Sequence, residues 1–438
     1  MNQLFTMNRK PLFVTVVLGC VLLWMNSGAL SAGPVERVLP PSQAAGLPAI
    51  EAVAPIMLDE LNVLPLLQED EDIALPAPLR IGVLRELPEL VDLARGQEEP
   101  LSESQWLWRL RIESPQAYQV RALISGCQLP AGCSLYIYGD GELADVYTGG
   151  GPFETGEFTA WAVSGSALTL ETVWDLNQAD GLPAELPFQI AGVYHAYKNL
   201  DVLAVFPGKE GTCHKDPACY SQWTKARNAS AMISFSSGGS WYLCSGTMLN
   251  NTAFNKIPYF MTANHCINTA GEAQSLQAYF YYYTSYCNAG RAAQGAAKNG
   301  ATYLIGNASA DCSLLRLNNN TFSGVYFAGW DTRSIKTGTA LTSLHHPDGA
   351  YRRISFGSLN RSATNLWYVR WNLGVTEPGS SGGGLFKTLN GRFVGQLYGG
   401  SSSCSNPTGL DYYGRFNRAY SLGASSYLGN ALTIDGTY

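Results

Sequence analysis

The chain has 438 residues, of which 46% are apolar and 14% charged, with a formal net charge of −6. This length predicts two or three domains, and this composition excludes a globally disordered protein because it allows a large buried core. Short runs rich in Val, Thr and Tyr recur between turns rich in Gly, Asn and Ser. This pattern favours β-structure over long amphipathic helices.

The first 32 residues have the order of a secretory signal peptide. Arg9 and Lys10 precede the apolar run PLFVTVVLGCVLLWM, which is short for a membrane span, and small residues follow at 29–32. A lipid anchor is the alternative, because VLGC resembles a lipobox, but the residues after Cys20 stay apolar where a polar tether is usual. We therefore predict a secreted protein without stable membrane association, exported through the periplasm in a Gram-negative host.

A change of charge divides the chain near Glu210. Residues 1–210, the acidic half, hold 11 Lys/Arg and 26 Asp/Glu, a net charge of −15. Residues 211–438, the basic half, hold 17 and 8, a net charge of +9. Two unrelated domains would explain this asymmetry, and so would an acidic half that docks on the basic half and is later removed. The basic residues are scattered, which argues against nucleic-acid binding.

The acidic half has two predicted parts. Residues 33–79 are rich in Pro, Ala and Leu, carry the acidic cluster EDED at 69–72, and are predicted to form a mobile segment with a short helix. From about residue 100 a β-sandwich is predicted, because turns separate strand-like runs. Cys127 and Cys133 flank a QLPAG turn and are predicted to pair. The runs are WLWRLRI, AYQVRALI, SLYIYGD, FTAWAVSG and ALTLETV.

The basic half presents a histidine on a turn after an apolar strand. His265 lies in YFMTANHC, and Cys244 lies in the preceding strand-like run WYLCSGTML. A bridge from Cys244 to Cys266 would hold the histidine turn against that strand, and such a loop closure contributes about 3 kcal/mol in the chain-entropy model. A single histidine is more often structural than catalytic, so other residues must decide.

An aspartate and a serine follow in chain order. Asp311 precedes the buried-looking strand LLRL, and a histidine is a natural partner for a carboxylate in such a place. The stretch GSSGG at 379–383 is either a flexible linker or a tight turn that presents a hydroxyl. The order His–Asp–Ser, with cysteines beside the histidine, favours a catalytic triad over three unrelated structural features.

Several motifs carry a resemblance to known proteases. TANHC, DCSLL and GSSGG resemble the histidine, aspartate and nucleophile motifs of chymotrypsin-fold serine proteases. A narrower resemblance covers about residues 211–438, where five dispersed motifs occur in the order found in bacterial lysyl endopeptidases. These motifs are AGWD at 328–331, HHPDGAYRRIS at 345–355, TEPGSSG at 376–382, GQLYGGSSSC at 395–404 and DYYGR at 411–415.

The resemblance implies an all-β fold, with two antiparallel β-barrels and the triad in the crevice between them. It also implies three segments: a signal peptide at 1–32, an acidic propeptide at 33–209 that includes the β-sandwich, and a catalytic domain at 210–438. The propeptide would act as intramolecular chaperone and inhibitor. Cleavage after Lys209, in the exposed junction AVFPGKEGTC, would free the catalytic domain.

The same resemblance assigns the chemistry. The third position of G-x-S-G-G is the nucleophile, which makes it Ser381, while His265 is the base and Asp311 orients the imidazole. The N–H groups of Gly379 and Ser381 would form the oxyanion hole. Ser380 stands where the wider family usually has an aspartate that pairs with a freed N-terminal amine. Because serine cannot make that ion pair, we predict an oxyanion hole that does not depend on a freed N-terminus.

Substrate preference depends on Asp411, which matches the acidic residue that receives a lysine side chain. An ordinary turn aspartate is the alternative, and the choice between lysine and arginine depends on pocket depth. Tyr398, Gly399 and Gly400 would bind the substrate backbone. Two departures from the family are the tyrosine at 398, where a histidine is usual, and a shortened stretch at 361–371. Trp367 is the candidate for the tryptophan that shapes the family's site.

The remaining cysteines and histidines are expected to be structural. By resemblance, Cys213 pairs with Cys404, Cys219 with Cys287 and Cys244 with Cys266, which leaves Cys312 as a buried, inert thiol. His345 and His346 precede a proline turn without acidic partners for a metal. We expect a monomer that acts on protein or peptide substrates without cofactor or metal. The rival functions are a trypsin-like protease that also cuts after arginine, and an inactive secreted binding protein.

Overall fold

A computed structural model describes residues 37–48, 55–73, 76–178, 181–199, 211–290, 295–297, 300–318 and 323–438. The predicted signal peptide and the predicted junction at Lys209 lie outside these residues. Within the described ranges, no helix is both long enough and apolar enough to cross a membrane.

The described part of the acidic half is built from β-strands with two short helices, and its strand pairs are antiparallel except for β2 with β5. Its elements are β1 Arg37–Val38, α1 Pro41–Ala44, β2 Ile56–Met57, α2 Leu64–Asp72, β3 Leu79–Arg85, a 3₁₀ turn Leu93–Arg95, β4 Gln97–Pro100, β5 Gln105–Glu113, β6 Gln119–Ser125, β7 Cys133–Tyr138, β8 Ala144–Tyr147, β9 Phe158–Thr159, β10 Val163–Ser164, β11 Ala167–Asp175 and β12 Gln189–Ala196.

The core of the acidic half lies between two sheets. One sheet has the strand order β1-β8-β7-β11-β5-β2, with β4 paired to β5, and the other contains β6 and β12. Leu110 and Ile112 of β5 are buried in the same apolar cluster as Val120 and Ile124 of β6. Since side chains alternate across a strand, both strands turn every second residue into this space. The predicted β-sandwich is therefore present.

The acidic cluster at 69–72 forms the end of α2 and is anchored to the sandwich. Asp70 accepts a hydrogen bond from Arg80 Nε at 2.7 Å and from the Tyr197 hydroxyl at 2.8 Å. It also pairs with Lys198 at 2.7 Å. The prediction of a short helix in this segment is confirmed, and where it is described the helix is fixed by these contacts.

The predicted bridge between Cys127 and Cys133 is wrong. Both cysteines are free thiols buried in the sandwich core. The Cys127 sulfur lies 3.6 Å from the Gly149 carbonyl oxygen, and Cys133 pairs with Trp174 in the sheet. Burial raises the pKa of Cys127 to about 11 and that of Cys133 to about 12. Because the thiolate is the reactive species, burial makes both sulfurs poor nucleophiles in the folded protein.

The basic half contributes thirteen strands among the described residues. Its elements are 3₁₀ turns Pro217–Cys219 and Ser221–Trp223, α3 Thr224–Ala229, β13 Ser230–Ser237, β14 Ser240–Leu249, β15 Tyr259–Thr262, α4 Ala270–Ser275, β16 Gln277–Phe280, β17 Gly295–Ala297, β18 Ala301–Asn307, β19 Cys312–Leu317, β20 Ala340–His345, a 3₁₀ turn Pro347–Gly349, β21 Arg353–Ser362, β22 Leu366–Leu373, β23 Gly384–Lys387, β24 Phe393–Gly400, β25 Leu410–Arg415, α5 Phe416–Ala419, a π turn Tyr420–Ala424 and α6 Ser425–Leu428.

These strands form two units that flank the site. Strands β20-β21-β22-β25-β24-β23 close into a barrel. Strands β13 to β19 belong to a sheet that continues into the acidic half, because the start of β14 pairs with β3 and places Ser240 opposite Val83. The fold is all-β, as predicted, and the histidine turn and the serine loop come from these two different units.

Three disulfides cross-link the basic half. They join Cys213 to Cys404, Cys219 to Cys287, and Cys244 to Cys266, which are the pairs implied by the resemblance. Cys312 at the start of β19 is a buried free thiol, as expected, and burial raises its pKa to about 12.

Candidate active site

The histidine turn leaves the end of β15 and is fixed on both sides. The Cys244–Cys266 disulfide ties it to β14. His265 Nδ1 lies 2.9 Å from Asp311 Oδ2, and the His265 backbone N–H donates to Asp311 Oδ1 at 2.9 Å. Because both carboxylate oxygens bind the same residue, the carboxylate sets both the position and the tautomer of the imidazole. The proton rests on Nδ1, and Nε2 keeps its lone pair.

Asp311 is itself held in an unusual conformation. Its φ of 42° lies in the left-handed region, which residues other than glycine seldom occupy. Its side chain is almost fully buried. Burial raises the pKa of Asp311 above its ordinary value, and the hydrogen bonds from His265 oppose that rise. An imidazolium at residue 265 would compensate for this desolvation, which is what a base that gains a proton during a reaction needs from its partner.

The serine loop is a packed turn, so the flexible-linker alternative is wrong. Gly379 and Gly382 have φ angles of 88° and 80°, which favour glycine. A Cβ on Gly382 would lie 2.2 Å from the Ser245 carbonyl oxygen and 2.4 Å from Thr262 Oγ1. Ser245 donates its N–H to the Ser381 carbonyl oxygen at 2.7 Å and its hydroxyl to the Gly379 carbonyl oxygen at 2.9 Å. The loop therefore docks on the strands that carry the histidine.

The loop and the histidine turn pack against each other. Gly382 packs against Thr262, three residues before His265, and donates to the Leu397 oxygen at 2.8 Å. The next residue, Tyr398, has its ring centroid 5.8 Å from that of His265. His265 Nε2 is buried and has no hydrogen-bond partner among the described residues, so the Ser381 hydroxyl is not bonded to it in this structure. Such contacts often tighten only when substrate binds.

Two N–H groups of the loop lack partners. The backbone N–H groups of Ser380, Gly382 and Gly383 all donate within the protein. Those of Gly379 and Ser381 have no acceptor among the described residues. The donors flank Ser380, and one of them belongs to the proposed nucleophile Ser381. Two free N–H groups in such a turn are the feature that a developing oxyanion requires.

Asp411 lies in β25 beneath the cleft and is completely buried. Its Oδ2 accepts hydrogen bonds from Trp371 Nε1 at 2.5 Å, Thr376 Oγ1 at 2.7 Å and Ser402 Oγ at 2.6 Å. A Cβ on Gly400 would lie 2.0 Å from Asp411 Oδ1, so only glycine fits above that oxygen. Burial raises the pKa of Asp411, and its donors oppose the rise. The carboxylate is thus desolvated, and hydrogen bonds hold it in one orientation.

The cleft has a volume of about 380 Å³, and both halves of the chain line it. Ser381, Gly399 and Gly400 come from the basic half, and Pro76 and Ala77 come from the acidic half. Pro76 is so close to Gly399 that a Cβ there would lie 2.8 Å from the proline side chain. The acidic half therefore occupies part of the cleft.

Sequence reasoning missed the residues that surround Asp411. Trp367, the candidate for the family's tryptophan, lies in the barrel core and donates to the Val394 carbonyl oxygen at 3.1 Å. Trp371, four residues later, is the one that contacts Asp411. Thr376 lies in the motif TEPGSSG and Ser402 in GQLYGGSSSC. Their membership of these motifs was therefore a signal in the sequence, whereas a threonine or a serine by itself is not.

The described residues offer poor ligands for a metal at this site. Cys244 and Cys266 lie near His265, and Cys213 and Cys404 lie near His214, at distances that a shared ion would need. All four cysteines are in disulfides. They have no thiolate to bind a metal.

Comparisons with known proteins place this geometry in context. The sequence model described as "Lysyl endopeptidase, C-terminal domain" matches residues 207–414. A lysyl endopeptidase of Pseudomonas aeruginosa is 30% identical over 377 residues, which cover 78% of this chain and 80% of that protein. Two solved proteases share weaker structural similarity with this chain. The active form of the Rv3671c protease of M. tuberculosis has a TM-score of 0.36 at 15% identity, and the match covers 52% of this chain and 95% of that one. The HtrA-type protease AlgW with a tripeptide has a TM-score of 0.35 at 18% identity, and the match covers 46% of this chain and 61% of that one.

Proposed function

The chain belongs to the lysyl endopeptidase family and is a serine endopeptidase, and we propose that it is secreted as an inactive precursor and cuts after lysine. The single observation that supports the chemistry best is the His265–Asp311 pair with its free Nε2, on a turn against which the Ser381 loop packs.

The reaction follows from these groups. The Ser381 oxygen attacks the carbonyl carbon of the scissile peptide bond, and its proton passes to His265 Nε2. The N–H groups of Gly379 and Ser381 bind the oxyanion that forms. His265 then protonates the leaving amine as the C–N bond breaks and an ester to Ser381 remains. Water hydrolyses this ester by the reverse proton transfers, and Asp311 stabilises the imidazolium in each step.

The environment of Asp411 supports a cationic side chain at the cleavage position. A buried carboxylate without a cation is costly, and an incoming ammonium would offset part of its desolvation. The side chains of Trp371, Thr376 and Ser402 already donate to Oδ2, and the Ser402 N–H donates to Oδ1 at 3.1 Å. An arginine fork binds best when both carboxylate oxygens accept from it, whereas an ammonium needs only point acceptors. This arrangement favours lysine over arginine.

Contacts between the halves support the role of the acidic half as an inhibitor and folding partner. Pro76 and Ala77 line the cleft beside Ser381, and β3 pairs with β14. The buried Arg121 of β6 donates to the Ser275 oxygen at 3.0 Å and lies 5.3 Å from the ring of Trp241. A substrate chain cannot occupy the volume that Pro76 fills. Removal of residues up to Lys209 would open the cleft. The removed segment would end in a lysine, the residue that the enzyme is proposed to recognise.

Digestion of a denatured test protein, followed by mass spectrometry of the peptides, tests this proposal. We expect cuts after lysine for the wild-type enzyme and none for Ser381→Ala. Cuts after arginine at a similar rate would replace lysine specificity by the trypsin-like alternative. Labelling by a fluorophosphonate at Ser381 should accompany activity, and its absence from a correctly folded, processed chain would favour the inactive binding protein.

A further inference from the structure

A second histidine lies behind the serine loop and belongs to neither the triad nor the cleft lining. His345, at the end of β20, is completely buried, as is Ser380 in the loop. The His345 Nδ1 atom lies 2.8 Å from Ser380 Oγ, and its Nε2 atom lies 3.1 Å from Ser355 Oγ. The imidazole therefore bridges the loop residue between Gly379 and Ser381 to strand β21.

The Ser355 hydroxyl fixes the direction of each hydrogen bond made by the His345 imidazole. Ser355 Oγ donates its proton to the Val375 carbonyl oxygen at 2.9 Å, so it must accept from His345 Nε2. Nδ1 is then the acceptor, and the Ser380 hydroxyl donates to it. Ser380 Oγ in turn accepts from the Glu377 N–H at 3.3 Å. One directed chain runs from Glu377 through the imidazole to Val375, and it requires a neutral His345. Burial lowers the pKa of this histidine well below its ordinary value, which agrees with the geometry.

We propose that His345 is a positioning residue for the oxyanion hole, and that it holds Ser380 in the way that an ion pair with a freed N-terminal amine holds an aspartate in related enzymes. The peptide unit between Ser380 and Ser381 carries the N–H group of Ser381. The N–H group of Gly379 lies inside the turn that Ser380 closes with Glu377, where Ser380 Oγ accepts from the Glu377 N–H and the Ser380 N–H donates to the Glu377 oxygen. Fixing the Ser380 side chain from behind therefore orients the Ser381 donor directly and holds the turn that carries the Gly379 donor. The inference rests on the proposed roles of Ser381 and its loop.

Every residue of this hydrogen-bond chain belongs to the barrel or to the serine loop. His345, Ser355, Val375 and Ser380 are residues of the basic half, and no residue in the described part of the acidic half takes part in their hydrogen bonds. The oxyanion hole is consequently formed before processing. Coverage of the cleft by Pro76 then accounts for the inactivity of the precursor, and a misfolded hole is not needed.

Three variants test the proposal: His345→Phe, Ser380→Ala and the double variant. Phenylalanine keeps the shape of the imidazole but makes no hydrogen bond. The number of active molecules is counted by fluorophosphonate titration, so that a loss of folded protein does not count as a loss of rate. Per titrated site, we expect each single variant to lower kcat about 10- to 100-fold and to leave KM within about twofold, since complete loss of one oxyanion donor costs 10²–10³-fold. The double variant should be no slower than the slower single variant, because both substitutions break the same link.

The neighbouring histidine provides the matched control. His346 is equally buried and bonds through Nδ1 to the Ala350 oxygen at 3.0 Å, outside the chain described above. His346→Phe should keep kcat per titrated site within about threefold. Unchanged kcat in His345→Phe, losses that multiply in the double variant, or an equal loss in His346→Phe would each overturn the proposal.

A second measurement separates positioning from general destabilisation. A peptide aldehyde forms a hemiacetal whose oxygen lies in the oxyanion hole, whereas a product peptide binds without one. We expect the affinity for the aldehyde to fall in parallel with kcat in Ser380→Ala, with product affinity unchanged; parallel loss of both affinities contradicts the inference. Ser381→Ala keeping full activity would instead refute the proposed function, so the two failures are distinguishable.

Discussion

The acidic and basic halves are both antiparallel β-structures, but different interactions hold them together. The basic half contains three disulfides, whereas the two cysteines of the acidic half in its described part remain thiols. The acidic half instead buries polar networks. The fully buried Glu171 accepts from the Tyr138 hydroxyl at 2.6 Å and the Ser42 N–H at 3.0 Å. Covalent cross-links suit a domain that must persist among proteases, and non-covalent networks suffice for one proposed to be discarded.

The comparison predicts first that the chemistry depends on a carboxylate of the basic half alone. Asp311→Asn keeps the size of the side chain but favours the wrong imidazole tautomer, so we expect kcat to fall about 10⁴-fold with little change in KM. The rate of fluorophosphonate labelling measures this within the variant itself and is insensitive to traces of wild-type enzyme. His195→Gln, which alters a buried histidine of the acidic half that bonds to Ser114, is the control. Labelling of processed Asp311→Asn within tenfold of the wild-type rate would contradict the proposed triad.

The second prediction concerns the cross-links themselves. The Cys213–Cys404 disulfide joins residues 191 apart, and a loop of that length contributes roughly 5 kcal/mol in the chain-entropy model. Cys213→Ser with Cys404→Ser should therefore lower the free energy of unfolding of the basic half by about this amount. The matched pair Cys127→Ala with Cys133→Ala should cost the acidic half only about 1 kcal/mol per site, as small cavities do. Hydrogen exchange read by mass spectrometry reports each half separately, and equal losses in both halves would break the comparison.

Much of the basic half could be predicted because its chemistry restricts residue types at particular places. His265, Asp311 and Ser381 stood out since each motif combines a reactive side chain with the small residues or cysteines that position it. The strand pattern of the sandwich was also readable, because alternation of apolar residues is a local signal. These features need only a few neighbouring residues to be recognised.

The wrong and missing predictions share a different cause. The Cys127–Cys133 bridge failed because closeness in sequence does not fix how two side chains lie in three dimensions: Cys133 begins β7 and pairs with Trp174, whereas Cys127 lies in the loop before it. The pairing of β3 with β14 joins segments more than a hundred residues apart, and no local pattern encodes it. The bond from Ser380 to His345 likewise depends on the closed barrel. We interpreted His345 only as structural, since its partners come from distant strands.

A third prediction sharpens the electrostatic side of the comparison. The basic half carries a net charge of +9, yet its proposed substrate residue is a cation, so recognition must depend on individual carboxylates near the cleft. Asp411 is completely buried beneath the cleft, and Asp348 and Glu377 line it. Asp411→Asn should lower kcat/KM for a lysine substrate about 10²-fold, because an amide cannot neutralise the ammonium. A glutamine at the cleavage position should lose its disadvantage relative to lysine. Parallel rates on matched peptides measure this, and an unchanged preference for lysine would show that Asp411 is only a turn residue.

The same carboxylate predicts a pH dependence. Burial raises the pKa of Asp411 above that of an exposed aspartate, so its charge is lost at a higher pH on acidification. The KM for lysine substrates should therefore rise as the pH falls through this raised pKa. In Asp411→Asn, this rise in KM should be absent. A KM profile identical in both proteins would assign the effect to another group.

The smallest expected effect is the one that most directly separates the two halves. If the hydrogen-bond chain through His345 replaces the N-terminal ion pair, acetylation of the α-amine of the processed enzyme should change kcat/KM less than about twofold. Near pH 6.5 the α-amine, with an ordinary pKa of about 7.7–8.0, reacts while lysines at about 10.4 stay protonated. Mass spectrometry of the N-terminal peptide checks the extent of acetylation. A near-total loss of activity would mean that the basic half still needs an amine freed from the acidic half, and activity that falls with deprotonation near pH 8 in the unmodified enzyme but not in the acetylated one would point to the same dependence.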